Sequence, residues 1–199
     1  MRIFVGLDID EEIRGRIGQF MSEVRPLSPS AKWVRPESLH VTLKFIGERP
    51  ADSVEAIKAA LARVKEQPVQ IAFRGYGFFP APRSARVFWI GIEAGLELAQ
   101  LAVHVDQATA NVGVAKEDRS FNPHLTLARG GGGSGSPQRK RGDGPNRQFE
   151  EIQKKLAARV ALDFGTMIAQ EFLLYQSQLM AGGSRYMKIA HFPLISQSR

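Results

Sequence analysis

At 199 residues, 43% hydrophobic and 24% charged, the chain has an ordinary globular composition and enough length to bury a core. It contains no cysteine, which excludes disulfides, thiol chemistry and thiolate metal sites. The formal net charge of +7 suits a polyanionic partner, nucleic acid above all, and equally suits plain solubility.

The opening run Arg2 to Ile9 is β-branched and aromatic and reads as a core strand. Its acids at Asp8 and Asp10 are unlike a signal peptide, and no apolar run reaches the roughly 18 residues that span a bilayer. Cytoplasmic location and no membrane partner are the expectations. Asp10 is placed to cap a helix whose stripe is Ile13, Ile17, Phe20, Met21 and Val24, ended by Pro26 and Pro29. Lys32 to Arg35 reads as a short strand, Pro36 to Ser38 as a turn, and His40 to Ile46 as a strand stopping near Gly47. A second helix starts at Asp52 or Ser53, with Val54, Ile57, Leu61 and Val64 as its buried side.

Val69 to Phe73 and Arg86 to Ile92 read as strands around a turn-rich segment, Gly75 to Pro82. A third helix spans Leu96 to Asn111 and carries His104. A strand follows at His124. The Gly-rich basic stretch 130–147, with Arg139, Lys140 and Arg141, cannot pack a core and reads as a flexible loop. A solvated loop and an RNA-binding arm are both open for it. A fourth helix covers Gln148 to Arg159, and strands Ile168 to Leu179 and Arg185 to Phe192 flank a turn at Gly182-Gly183. Few helices and hairpin-like strands point to an α+β fold with mainly antiparallel sheets.

Two stretches are nearly alike: Leu39-His40-Val41-Thr42-Leu43-Lys44 and Pro123-His124-Leu125-Thr126-Leu127-Ala128-Arg129. Period-2 alternation puts His40 with Thr42, and His124 with Thr126, on one face, with the apolar residues behind. The copies lie about half a chain apart, which suggests two similar lobes, each supplying one His-Thr strand. Two imidazoles across a cleft can hold opposite protonation states near neutrality, one taking a proton and one giving it. Thr42 and Thr126 can donate to phosphate oxygens, and Arg129 can add charge. The scheme requires no metal or other cofactor.

The paired motifs resemble the His-x-Thr/Ser-x signature of the two-histidine phosphoesterase superfamily. More closely, the chain resembles the bacterial and archaeal RNA 2′,3′-cyclic phosphodiesterases, also called LigT-like or 2′-5′ RNA ligase proteins. The likeness runs from RIFVGLDI through LHVTLKFIGE, GYGFFP…RVFW and PHLTLAR to FLLYQSQL…SRYMKIAHFPL. It implies one bilobal, pseudo-twofold domain over residues 1–199, with two sheets facing a central cleft and helices outside. It implies hydrolysis of a 2′,3′-cyclic phosphate end to a 2′-phosphomonoester, with His40 as proton donor and His124 as acceptor. The implied partners are RNA with such an end, tRNA fragments among them, or nucleoside 2′,3′-cyclic phosphates, handled by a monomer. The Gly-rich insertion after Arg129 departs from the family's shorter loop.

Phe79, beside Pro80, is the best candidate for stacking a base, whereas core packing suits most of Tyr76, Phe78 and Trp89. His104 and His191 lack a Thr two residues on and read as structural or surface residues. A metal held by His40 and His124 is the competing use of the motifs; only Glu37 and Glu48 lie near enough in sequence to help. A nonenzymatic RNA-end binder, or an RNA-joining protein using the same cleft, is the alternative function.

Overall fold

The computed structural model describes residues 1–130, 146–159, 161–180 and 183–195. The Gly-rich basic run through Arg139, Lys140 and Arg141, and Gly182 of the expected final turn, lie outside the described residues. Nine strands and four helices follow in chain order among the described residues: β1 (Arg2–Asp8), α1 (Glu11–Val24), β2 (Lys32–Trp33), β3 (His40–Glu48), α2 (Ala51–Leu61), β4 (Val69–Phe79) and β5 (Val87–Ala94). Then come α3 (Leu96–Ala110), β6 (His124–Arg129), α4 (Glu150–Ala157), β7 (Asp163–Ala169), β8 (Glu171–Met180) and β9 (Gly183–Pro193). One sheet runs β3-β1-β8-β9 and the other β2-β6-β5-β4-β7. Every described strand pairing is antiparallel.

The two sheets are not the two halves of the sequence. The four-stranded sheet joins β1 and β3 to β8 and β9 from the far end of the chain, and β2 and β7 cross to the other sheet. The helices cross as well. α1 follows β1 yet packs on the five-stranded sheet, its Phe20 ring centroid 5.2 Å from Phe164 and 6.3 Å from Phe88. α3 follows β5 yet packs against β3 and α2. Interleaving of this kind puts one apolar core beneath both sheets. Ile3, Leu7, Val41, Phe73, Phe88, Leu125 and Phe172 belong to it, each almost wholly buried. Each such side chain contributes roughly 1.5–3 kcal/mol by leaving water.

Several expected boundaries shift. The Gly75–Pro82 segment is largely strand: β4 continues to Phe79, and a bulge between Phe73 and Tyr76 absorbs Gly75, whose φ is +66°. Ile168 to Leu179 is two strands broken at Gln170, and the earlier one, β7, begins at Asp163 on the five-stranded sheet. Asp10 occupies the N-cap of α1, but its side chain makes no capping bond. α2 starts at Ala51 behind Pro50, whose fixed φ suits a helix entry. α4 is shorter than expected, Glu150–Ala157. Among the described residues no helix is long and apolar enough to cross a membrane.

Candidate active site

β3 and β6 touch, one from each sheet. In both, the expected alternation holds for His, apolar, Thr, apolar: His40, Thr42, His124 and Thr126 are half-buried on one face, and Val41, Leu43, Leu125 and Leu127 are buried on the other. Both strands then break the alternation at the same step. Thr42 faces Gly6 and Lys44 faces Val5, so Leu43 is the extra residue of a bulge. Thr126 faces Trp89 and Ala128 faces Phe88, so Leu127 is the extra residue. Lys44 and Ala128 therefore turn inward behind a buried Leu, and Phe45 and Arg129 return to the His-Thr face. Strict alternation from Thr126 would point Arg129 away from the site; the bulge brings it back.

Each motif histidine is held in the same way. The Nδ1 of His40 lies 2.8 Å from the carbonyl oxygen of Ser38, and the Nδ1 of His124 lies 2.8 Å from that of Asn122. A carbonyl only accepts, so each Nδ1 carries the proton and donates it. Each Nε2 is then the working atom, an acceptor on the neutral ring and a donor on the charged one. Among the described residues neither threonine hydroxyl and neither end of the Arg129 fork has a protein partner.

Aromatic rings wall both corners. Around His40 stand Phe4 at 4.6 Å, Tyr186 at 4.9 Å edge-on and Tyr175 at 5.8 Å between centroids. Around His124 stand Phe79 at 5.0 Å edge-on and Trp89 at 6.2 Å, themselves 5.0 Å apart. Phe79 therefore lies at the site, while Tyr76 and Phe78 pack into the core. Trp89 departs from the core role read for most of this group. Its indole covers Gly77 so closely that a Cβ there would come within 2.1 Å of the ring. The signal was present in Phe88-Trp89-Ile90, where burial of both neighbours puts Trp89 on the opposite face.

Charge around the imidazoles is biased toward the neutral form. Burial pushes His40 down to about 4, and the Arg129 cation adds to that. The Ser38 carbonyl and the Asp8 carboxylate pull the other way. His124 is also lowered, by burial first and by Arg129, against its bond to Asn122. One guanidinium thus acts on both rings. Asp8 is the cross-strand partner of His40 and was not singled out from sequence. It accepts from Arg14 at 2.6 Å and pairs with Lys188, and these two cations outweigh burial and hold its carboxyl below the usual range.

The other histidines sit elsewhere: His104 pairs with Glu66, and His191 lies 3.2 Å from Glu171. Glu37 is exposed in the turn before β3, and Glu48 stands opposite Arg2 at the other end of β3 from His40. Among the described residues no three His, Asp or Glu side chains gather in a metal-binding arrangement.

Known proteins of similar sequence and fold agree on the family. Residues 7–89 match the LigT-like phosphoesterase family model. An Archaeoglobus fulgidus protein named RNA 2′,3′-cyclic phosphodiesterase is 35% identical over 96% of this chain and 99% of its own length. The crystal structure of Thermus thermophilus TT0787 superposes with a TM-score of 0.75 at 26% identity, covering 100% of both chains. That of Escherichia coli LigT complexed with 3′-AMP superposes with a TM-score of 0.74 at 25% identity, covering 98% of both. The chain belongs to the LigT-like phosphoesterases, alongside relatives named RNA 2′,3′-cyclic phosphodiesterase.

Proposed function

We propose that the protein hydrolyses RNA 2′,3′-cyclic phosphate ends to 2′-phosphomonoesters, using residues 1–199 as one catalytic unit. The observation that carries this is the matched pair of imidazoles. Both have Nδ1–H tied to a carbonyl two residues back, and among the described residues both Nε2 atoms and the two threonine hydroxyls beside Arg129 have no hydrogen-bond partner. In the reaction, His124 Nε2 takes a proton from water as the water oxygen attacks phosphorus. The bond from phosphorus to the 3′ oxygen breaks, and His40 Nε2–H protonates that oxygen. Thr42 and Thr126 donate to the nonbridging oxygens, and Arg129 offsets their charge. Each acid-base role is worth roughly 10²- to 10⁴-fold.

The acid must be charged, whereas burial and the Arg129 cation favour two neutral rings. The substrate resolves this, because a phosphodiester anion beside His40 favours imidazolium. Binding therefore takes up a proton near neutral pH. The terminal base stacks in the Phe79–Trp89 corner. The substrate is RNA, tRNA fragments included, or a nucleoside 2′,3′-cyclic phosphate, and the enzyme works as a cytoplasmic monomer; the lack of cysteine is compatible with that compartment. Turnover of a nucleoside 2′,3′-cyclic phosphate in EDTA, with the product identified as the 2′-phosphate, is the test. Binding without turnover would leave a nonenzymatic RNA-end binder. Activity lost in EDTA and restored by a divalent metal would overturn the two-histidine scheme.

A further inference from the structure

The two motif strands place different side chains at one equivalent position. After the bulge, β6 returns Arg129 to the His-Thr face, and β3 returns Phe45. Phe45 is 60% exposed, although its register partner on β1, Phe4, is 3% exposed. A single exposed apolar residue is ordinary on any surface. Phe45 differs in its position. Phe4 lies 4.6 Å from His40 and 6.1 Å from Phe45, so ring contacts run from the imidazole through the buried Phe4 to Phe45. Tyr175 stacks on Phe4 at 4.9 Å and Tyr186 meets it edge-on at 5.0 Å, which holds the Phe4 ring that Phe45 adjoins.

A 2′,3′-cyclic phosphate closes the end of an RNA, so the chain continues from the reacting nucleotide in one direction only, toward 5′. The corner beside His124 already offers Phe79 and Trp89 to the terminal base. We propose that Phe45 is a stacking platform for the base of the second nucleotide, the one 5′ to the reacting end, so that the site prefers an RNA strand to a mononucleotide. This rests on the hydrolase reading given above. Every base has a π-face, so the platform accepts any base in that place. Further out on the same face, Arg2 stands opposite Glu48. The affinity proposed for the second nucleotide rests on stacking at Phe45.

The test compares a dinucleotide ending in a 2′,3′-cyclic phosphate with the matching nucleoside 2′,3′-cyclic phosphate, in wild type, Phe45→Ala and Phe45→Trp. Stacking on one aromatic residue corresponds to roughly a fivefold to hundredfold effect. Phe45→Ala is expected to lose kcat/KM on the dinucleotide by that factor and to keep its rate on the mononucleoside. Phe45→Trp is expected to restore the dinucleotide rate. An equal loss on both substrates, or no loss on the dinucleotide, would overturn the proposal. Calorimetric binding of a 2′-phosphorylated dinucleotide and mononucleotide repeats the comparison without chemistry. Absent turnover with a Phe45-dependent preference for the dinucleotide would then count against the hydrolase and support the platform. Equal binding of the two ligands by wild type and Phe45→Ala would count against the platform alone.

Discussion

β3 and β6 repeat one backbone device and end in different chemistry. Each begins with a histidine tied through Nδ1 to a carbonyl two residues upstream, continues through a threonine on the same face as that histidine, and bulges at the next leucine. Beyond the bulge they part. β6 buries the small Ala128 and exposes Arg129; β3 buries Lys44 and exposes Phe45. The Lys44 ammonium pairs with Asp106 on α3 and donates to the Ala115 carbonyl at 2.8 Å, and the same Asp106 accepts from the Glu117 amide at 3.1 Å. The strand with the first histidine is thereby bolted to the segment that leads into the second. The bulge fixes where side chains point, and the residue types decide whether the position carries a cation, anchors a loop or exposes an aromatic ring.

Equal anchoring of the two imidazoles implies near-equal catalytic weight. His40→Ala and His124→Ala are each expected to fold and to lose roughly 10²- to 10⁴-fold in turnover. Steady-state rates in EDTA, with circular dichroism as a control for folding, measure this. Near-wild-type turnover in one folded variant would break the equivalence.

The inward residues should differ most in stability. Lys44 has 2% of its side chain exposed, and Asp106 has 22%. Removing Asp106 strands a cation in the core, whereas removing Lys44 leaves a carboxylate that can still reach water and the Glu117 amide. Asp106→Ala is expected to cost about 3–5 kcal/mol and Lys44→Met less. Denaturant midpoints decide the order, and the reverse order would show that the ammonium is not buried as described.

The histidine corners should separate by pH. His40 is enclosed by three aromatic rings and held down to about 4, so the folded protein binds fewer protons there than the unfolded chain between the ordinary value of about 6.5 and about 4. Stability from this group is full above about pH 6.5 and is lost as pH falls through about 4, by on the order of 3 kcal/mol. His40→Gln should flatten that part of the stability-against-pH curve. A curve unchanged by this substitution would sink the assignment. A bound phosphate anion should move the alkaline limb of turnover, where His40 loses its proton, upward and draw a proton from buffer, which calorimetry in buffers of different ionisation heat detects.

The threonines carry the smallest expected effect. Thr42→Val and Thr126→Val keep the shape of each strand and remove one hydroxyl donor to an anion, for roughly a tenfold to hundredfold loss in kcat/KM. Unequal losses would show that phosphate sits closer to one strand, and the side with Arg129 is the expected one.

Local sequence by itself determined the parts of this protein governed by short-range physics. Period-2 runs put His40 with Thr42 and His124 with Thr126 on one face and Val41 and Leu125 behind them, because successive strand side chains must point opposite ways. The stripe of α1 and the span of α3 were legible for the same kind of reason. Only tertiary structure decided what depends on which strand lies alongside. The bulges at Leu43 and Leu127 exist as two residues facing one on β1 and β5, so the buried place of Lys44 and the exposed places of Phe45 and Arg129 on the His-Thr face could not be read from alternation. Gly75 and Gly77 looked like turn residues and proved to be a bulge and a seat for Trp89, because the partner strand supplied the bonds and the ring. The exchange of helices between sheets, and with it the Lys44–Asp106 bolt between the two motifs, rests on contacts between segments far apart in the chain, which no local pattern encodes.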